Sequence, residues 1–98
     1  MALDSTKALV MNAADNVATV LEEIDPRTEI TLQVGDEKVV VQVAETIRFG
    51  HKFAIRAIPR GEFILKYGQP IGVATENIAP GRHVHVHNLE STRGRGDK

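Results

Sequence analysis

The chain has 98 residues, no cysteine, and 12 Lys/Arg against 13 Asp/Glu for a net charge of −1. That length makes one domain with a single core and no deep private cavity, so an enzyme this small would take some of its walls from a partner. Without cysteine, disulfides, thiolate metal sites and cysteine nucleophiles are excluded.

The opening Met1-Ala2-Leu3-Asp4-Ser5 has neither a charged start nor an apolar segment. No apolar run approaches the ~20 residues that a membrane span requires. The expectation is a cytoplasmic protein with no membrane or nucleic-acid partner. Charge is unevenly placed. Residues 1–45 carry nine acidic and three basic side chains, and residues 46–98 carry nine basic and four acidic ones. The halves are therefore −6 and +5, and an anionic ligand is drawn to the second.

Lys7-Ala8-Leu9-Val10-Met11 reads as a first strand. Asn12 or Asp15 can cap a helix, and Val17, Val20, Leu21 and Ile24 have the i, i+3, i+4, i+7 spacing of one helical face. The spacing predicts one short helix near residues 15–24, ended by Asp25-Pro26. Ile30, Leu32 and Val34 alternate with Glu29, Thr31 and Gln33, and Val39, Val41 and Val43 alternate with Lys38, Val40 and Gln42. With Gly35-Asp36 between them, the two runs predict a β-hairpin.

After Glu45 the chain is punctuated by short apolar runs and Gly/Pro turns. Gly50-His51-Lys52 interrupts the pattern. Phe53, Ile55 and Ala57 then alternate with Ala54, Arg56 and Ile58. Pro59-Arg60-Gly61 is a turn, followed by Phe63-Ile64-Leu65, Lys66-Tyr67-Gly68 and Pro70-Ile71-Gly72-Val73-Ala74. A weak repeat appears, because Ala57–Ile64 and Asn77–Val84 both read x-Ile-x-x-Gly-x-x-apolar. In each copy the glycine suits a turn position with positive φ. Short strands, Gly/Pro turns and little helix predict a mainly β fold. Residues 1–90 form the domain. Residues 91–98 form a polar tail that contains Arg95-Gly96-Asp97, the tripeptide of cell-adhesion ligands.

The richest stretch is His83-Val84-His85-Val86-His87-Asn88-Leu89, which holds three of the four histidines. In a strand the histidines share one face and the valines the other. His85 and His87 are then about 6.7 Å apart at Cα and can converge on one metal, whereas His83 and His87, at about 13 Å, cannot easily do so. The pair lacks a third metal ligand, which His51 or a partner subunit could supply, and three readings of the His85/His87 pair stand open. They line an active site, they ligate a metal, or they are solvated surface. Asn88 adds an orienting amide. His51 and Lys52 follow a glycine bend that can present both side chains, and their plain alternative is an exposed polar turn. Lys66 and Tyr67 offer an ammonium and a phenol to an anion, or else simply pack.

Gly50-His51-Lys52, Lys66-Tyr67-Gly68, Ile71-Gly72 and His83–Leu89 together resemble the SAF domain of the altronate/galactarate dehydratase family. The resemblance covers roughly residues 8–97. It implies a β-clip fold of short bent strands. It also implies a small lyase subunit that turns a sugar acid such as altronate into a 2-keto-3-deoxy acid with a large dehydratase subunit. Sulfolactate sulfo-lyase is a related small-subunit form, and a non-catalytic β-clip module that binds a carbohydrate or a protein is the alternative from another class. Under this resemblance His51, Lys52, His85 and His87 are the catalytic residues expected here. Lys66, Tyr67 and Asn88 bind substrate, and His85 and His87 are the metal candidates. The implied cofactor is a divalent metal such as Fe2+, held mainly on the large subunit. A homo-oligomer is the further expectation for the chain in isolation.

Overall fold

The computed structural model describes residues 7–91. Its strands are β1 (Ala8–Leu9), β2 (Val17–Val20), β3 (Glu29–Val34), β4 (Glu37–Gln42), β5 (Lys52–Ala54), β6 (Phe63–Lys66), β7 (Gln69–Ala74), β8 (His83–Val84) and β9 (Leu89–Ser91). They form a central antiparallel sheet in the order β1-β2-β5-β8, the hairpin β3-β4, and a three-stranded sheet β6-β7-β9. The mainly β reading holds. Strand β9 runs through Ser91, and the Arg95-Gly96-Asp97 tripeptide lies outside the described residues.

The expected helix at 15–24 is a correction, since no helix occurs among the described residues. Its apolar residues build β2 and the bend after it. Val17, Ala18 and Val20 are all buried because β2 lies between β1 and β5 with packing on both faces. A strand buried on both sides loses its period-2 alternation, and helical spacing then appears by coincidence. Leu21, which a helix would bury, is 40% exposed. The two candidate caps act locally and at long range instead. Asn12 Oδ1 accepts the Ala14 N–H in a tight turn. Asp15 is fully buried and accepts the N–H groups of Tyr67 and Gly68 at 3.0 and 2.8 Å, which fixes the β6–β7 turn.

The central sheet separates two apolar clusters. Ala18, Val20 and Phe53 face Ile30, Leu32, Val41 and Val43 on the side of the first hairpin. Val17, Ala54 and Val84 face Ile64 and Ala74 on the other side. The alternation expected over residues 53–58 ends after Ala54, because the chain bends at Ile55-Arg56 and leaves Ala57 exposed.

The repeat seen twice in the sequence occurs four times. Ile24, Ile47, Ile58 and Ile78 are buried, and each is followed three residues later by a positive-φ residue: Arg27 (69°), Gly50 (84°), Gly61 (92°) and Gly81 (87°). Three residues further on lie the buried Ile30, Phe53, Ile64 and Val84. The isoleucines pair as Ile24 with Ile47 and Ile58 with Ile78. Hydrogen bonds repeat in the same way. Val20 exchanges bonds with Gly50 and His51, and Ala54 exchanges them with Gly81 and Arg82. Two halves of similar design thus share the central sheet. In the first half Val17 lies opposite Ala54 in the β2–β5 register. The equivalent step of the β5–β8 register, one residue beyond Lys52↔Val84, brings His51 to His85. A pair that is hydrophobic in one half has become a pair of imidazoles in the other.

Candidate functional site

Two turns and a short strand deliver four histidines to one face. Gly50 turns the chain so that His51 enters just before β5, with its N–H on the Arg48 carbonyl. His83 begins β8, and its N–H donates to Glu45 Oε2 at 3.1 Å. After Val84 the expected histidine strand stops, and residues 86–88 form a turn. The buried Asn88 makes that turn. Its Oδ1 accepts the His85 N–H at 3.0 Å, its Nδ2 donates to the His83 carbonyl at 2.8 Å, and its backbone N–H donates to the His85 carbonyl. Val84 is buried but Val86 is 79% exposed, so the two valines do not share a core face.

The turn overrides the spacing derived from a regular strand. The rings of His83 and His87, expected far apart, have centroids 5.3 Å apart. His51, His83 and His85 stack in near-parallel planes, with centroid separations of 4.5 to 5.4 Å. His51 Nδ1 and His83 Nε2 are 2.9 Å apart. One ring nitrogen from each of His51, His83 and His85 lies within 4.8 Å of the other two. The nitrogens that converge therefore belong to these three residues, whereas strand spacing had suggested the His85/His87 pair. His87 leans on the outer edge of the stack and is exposed. A straight strand would hold His83 too far away to join such a group, and Glu45 carries no sequence signal at all.

Burial, followed by the nearby rings of His51, His87 and His85, pulls the His83 imidazole below its ordinary range, against an opposite pull from Glu45. Burial, His51, Lys52 and His87 lower His85 in the same direction. Glu45 is held below the usual carboxylate range. Burial works against its ionisation, but the His83 N–H, the Arg82 hydrogen bond and the positive charge of Arg82 outweigh it. Arg82–Glu45, at 3.1 Å, is the one ion pair among the described residues.

Lys52 is half-buried beside the stack, and burial and the charge of Lys66 both lower its pKa. Lys66 also sits 5.3 Å from the centre of the Tyr67 ring. Tyr67 is 60% exposed at the β6–β7 turn. Lys52 thus adds positive charge near His85, with Lys66 close to Lys52, and among the described residues neither lysine is in an ion pair, a setting that favours an anion. Asn88, expected to contact substrate, has its amide engaged in holding the turn. The three converging imidazoles also suit a divalent first-row metal, for which neutral ring nitrogens are the common ligand.

These histidines couple stability to acidity. His83 and His85 take up protons less readily in the folded chain than in the unfolded one. Below the unfolded value near 6.5 the unfolded chain binds more protons, so stability falls as pH drops through about 6.5 until the folded-state histidines also protonate. Glu45 contributes separately, and its share is lost only in more acidic solution. The melting temperature of metal-free chain is expected to fall between about pH 7.5 and about pH 5.5, and His83→Gln is expected to flatten that fall. A steeper fall in the variant would contradict this linkage.

Residues 6–92 match the family model described as the altronate/galactarate dehydratase SAF domain. The altronate dehydratase of Escherichia coli is 40% identical over 81 residues, which are 83% of this chain and 16% of that protein. The altronate dehydratase of Bacillus subtilis is 43% identical over 53 residues, 54% of this chain and 11% of that protein. The (2R)-sulfolactate sulfo-lyase subunit alpha of Chromohalobacter salexigens is 36% identical over 88 residues, 87% of this chain and 94% of that subunit. The chain therefore spans a small part of the two dehydratases and nearly all of the sulfo-lyase subunit.

Proposed function

Because the chain belongs to the altronate/galactarate dehydratase SAF domain family, we propose that it completes the site of a lyase that removes water from a sugar acid. A larger catalytic polypeptide supplies the rest of that site. The observation that carries this reading is the gathering of four histidines and a half-buried lysine on one open face.

Dehydration of a 2,3-dihydroxy acid takes a proton from the carbon beside the carboxylate and expels hydroxide, with a proton, from the next carbon. The enol that remains becomes the 2-keto acid. Lys52, with Lys66 near it, attracts and holds the carboxylate. His87, exposed on the outer edge of the stack and outside the three converging rings, is the imidazole placed to give or take a proton. His51, His83 and His85 are the residues that would hold a divalent ion. Such an ion, when bound, stabilises negative charge developing on the carboxylate side of the substrate. Asn88 and Glu45 act through the backbone, by fixing where His83 and His85 stand.

A second reading, a sulfolactate-cleaving lyase, is favoured by the near-complete coverage of the sulfo-lyase subunit alpha. Both readings are tested by mixing the chain with a candidate large polypeptide and assaying altronate and sulfolactate in parallel. We expect turnover of altronate by the mixture and by neither component alone. Turnover of sulfolactate alone selects the second reading. Complex formation with no turnover of either substrate leaves the non-catalytic module.

A further inference from the structure

We propose that this chain is a metal-binding protein in its own right: His51, His83 and His85 form a three-imidazole centre for a late first-row divalent ion such as Co2+, Ni2+ or Zn2+, with no ligand from a second polypeptide. The centre shares its face with the lyase reading and rests on that reading for what the ion does in turnover, but not for binding.

The geometry supports this from several sides. Two nitrogens bound side by side to one ion at ordinary metal–imidazole distances stand about 2.9 to 3.4 Å apart. His51 Nδ1 and His83 Nε2 are already 2.9 Å apart. Without an ion, that short contact is bridged by one shared proton, and the ion takes the proton's place. The His85 nitrogen lies within 4.8 Å of both. The outermost ring torsion of histidine is soft, so rotation about it brings the third donor in at low cost.

The three rings hang from backbone that is already fixed. His51 follows the Gly50 turn, His83 is tied through its N–H to Glu45, and His85 is tied through its N–H to Asn88. Pre-arranged ligands of this kind lose little freedom on binding. The donor set is nitrogen throughout: the converging group contains no carboxylate, and Glu45 Oε2 is turned to Arg82 and the His83 N–H. Such a set selects the later first-row ions and gives poor purchase to Mg2+ and Ca2+, which prefer oxygen. Three protein ligands leave further positions open, as in metal sites that act on substrates. The positive charge of Lys52 beside His85 favours an ion whose open positions carry an anion, such as a carboxylate.

The test uses the full chain with neither partner nor substrate, so its failure is separate from failure of the lyase reading. Co2+ binding is read from visible absorption, and Zn2+ stoichiometry from equilibrium dialysis with elemental analysis. The expected result is one ion per chain, undisturbed by a large excess of Mg2+. His51→Gln, His83→Gln and His85→Gln should each weaken binding at least about tenfold, and His87→Gln by less than about threefold. Folding of each variant is checked by its thermal transition. If a variant fails to fold, Zn2+-induced changes in the imidazole nitrogen NMR shifts of the wild-type chain decide, and they should fall on His51, His83 and His85. Absence of stoichiometric binding, displacement by Mg2+, or a loss in His87→Gln equal to that in His83→Gln overturns the proposal. An NMR response at His87 in place of one of the three does so as well.

Discussion

His85→Ala in the reconstituted lyase is expected to lower kcat/KM on altronate by about a thousandfold, within the usual range for losing a group that acts in acid–base or charge-stabilising chemistry. His85 joins the site's parts. Its ring stacks on His51 at 4.5 Å and on His83 at 5.4 Å, and it is the histidine whose pKa registers the charge of Lys52. Removing it takes one of the three converging nitrogens and opens the lysine side of the stack to water. The fold should tolerate the change. The bond that holds the turn runs from the His85 backbone N–H to Asn88, and alanine keeps that N–H. The ring is only half-buried and belongs to neither apolar cluster. A thermal midpoint close to wild type with a collapsed kcat/KM is therefore the expected pair of results. Activity within a few-fold of wild type would remove the histidine face from the chemistry.

Gly81→Ala is expected to cost about 4 kcal/mol of stability, measured by urea unfolding. Two effects add. Gly81 has a φ of +87°, a region in which a Cβ costs roughly 1–2 kcal/mol. Its added Cβ would also collide with the backbone carbonyl oxygen of Gln42. That oxygen cannot swing aside like a side-chain tip, and forced overlap in a packed site costs about 1–3 kcal/mol more. A small domain has only about 5–15 kcal/mol in total, so this variant approaches unfolding. Gly61→Ala is the internal control. Its φ is +92°, but nothing lies within 4 Å of the new Cβ. Only the backbone effect remains there, about 1–2 kcal/mol. Equal losses at the two positions would show that the Gln42 contact is not what matters. Gly81 also bears on the site. Its N–H and carbonyl bond Ala54 and Ala44, and His83 follows two residues later. Any shift of this turn moves one of the three converging rings.

The first hairpin was legible because its alternation comes from one buried face, and Ile30, Leu32 and Val41 are buried as that pattern requires. The false helix came from the opposite situation, a short strand with neighbours on both sides and no polar face to reveal it. The repeat was half legible. Ile47-Arg48-Phe49-Gly50-His51-Lys52-Phe53 carries it in full, but the first copy hides it by placing Arg27 where the others have glycine.

The sequence by itself determined the chemical inventory. It placed four imidazoles with Lys52 and Lys66 in one positive half, marked the turns that present them, and carried the motifs of the family. Only the tertiary structure decided which imidazoles meet. His51 and His83 are 32 residues apart, and they touch because β5 pairs with β8 in one particular register. His87 comes back to His83 because a buried asparagine closes a turn where the spacing suggested a straight strand. Periodicity is a local property that a chain displays along its length. Register and turn closure depend on partners distant in sequence, so they emerge only when the strands are packed together.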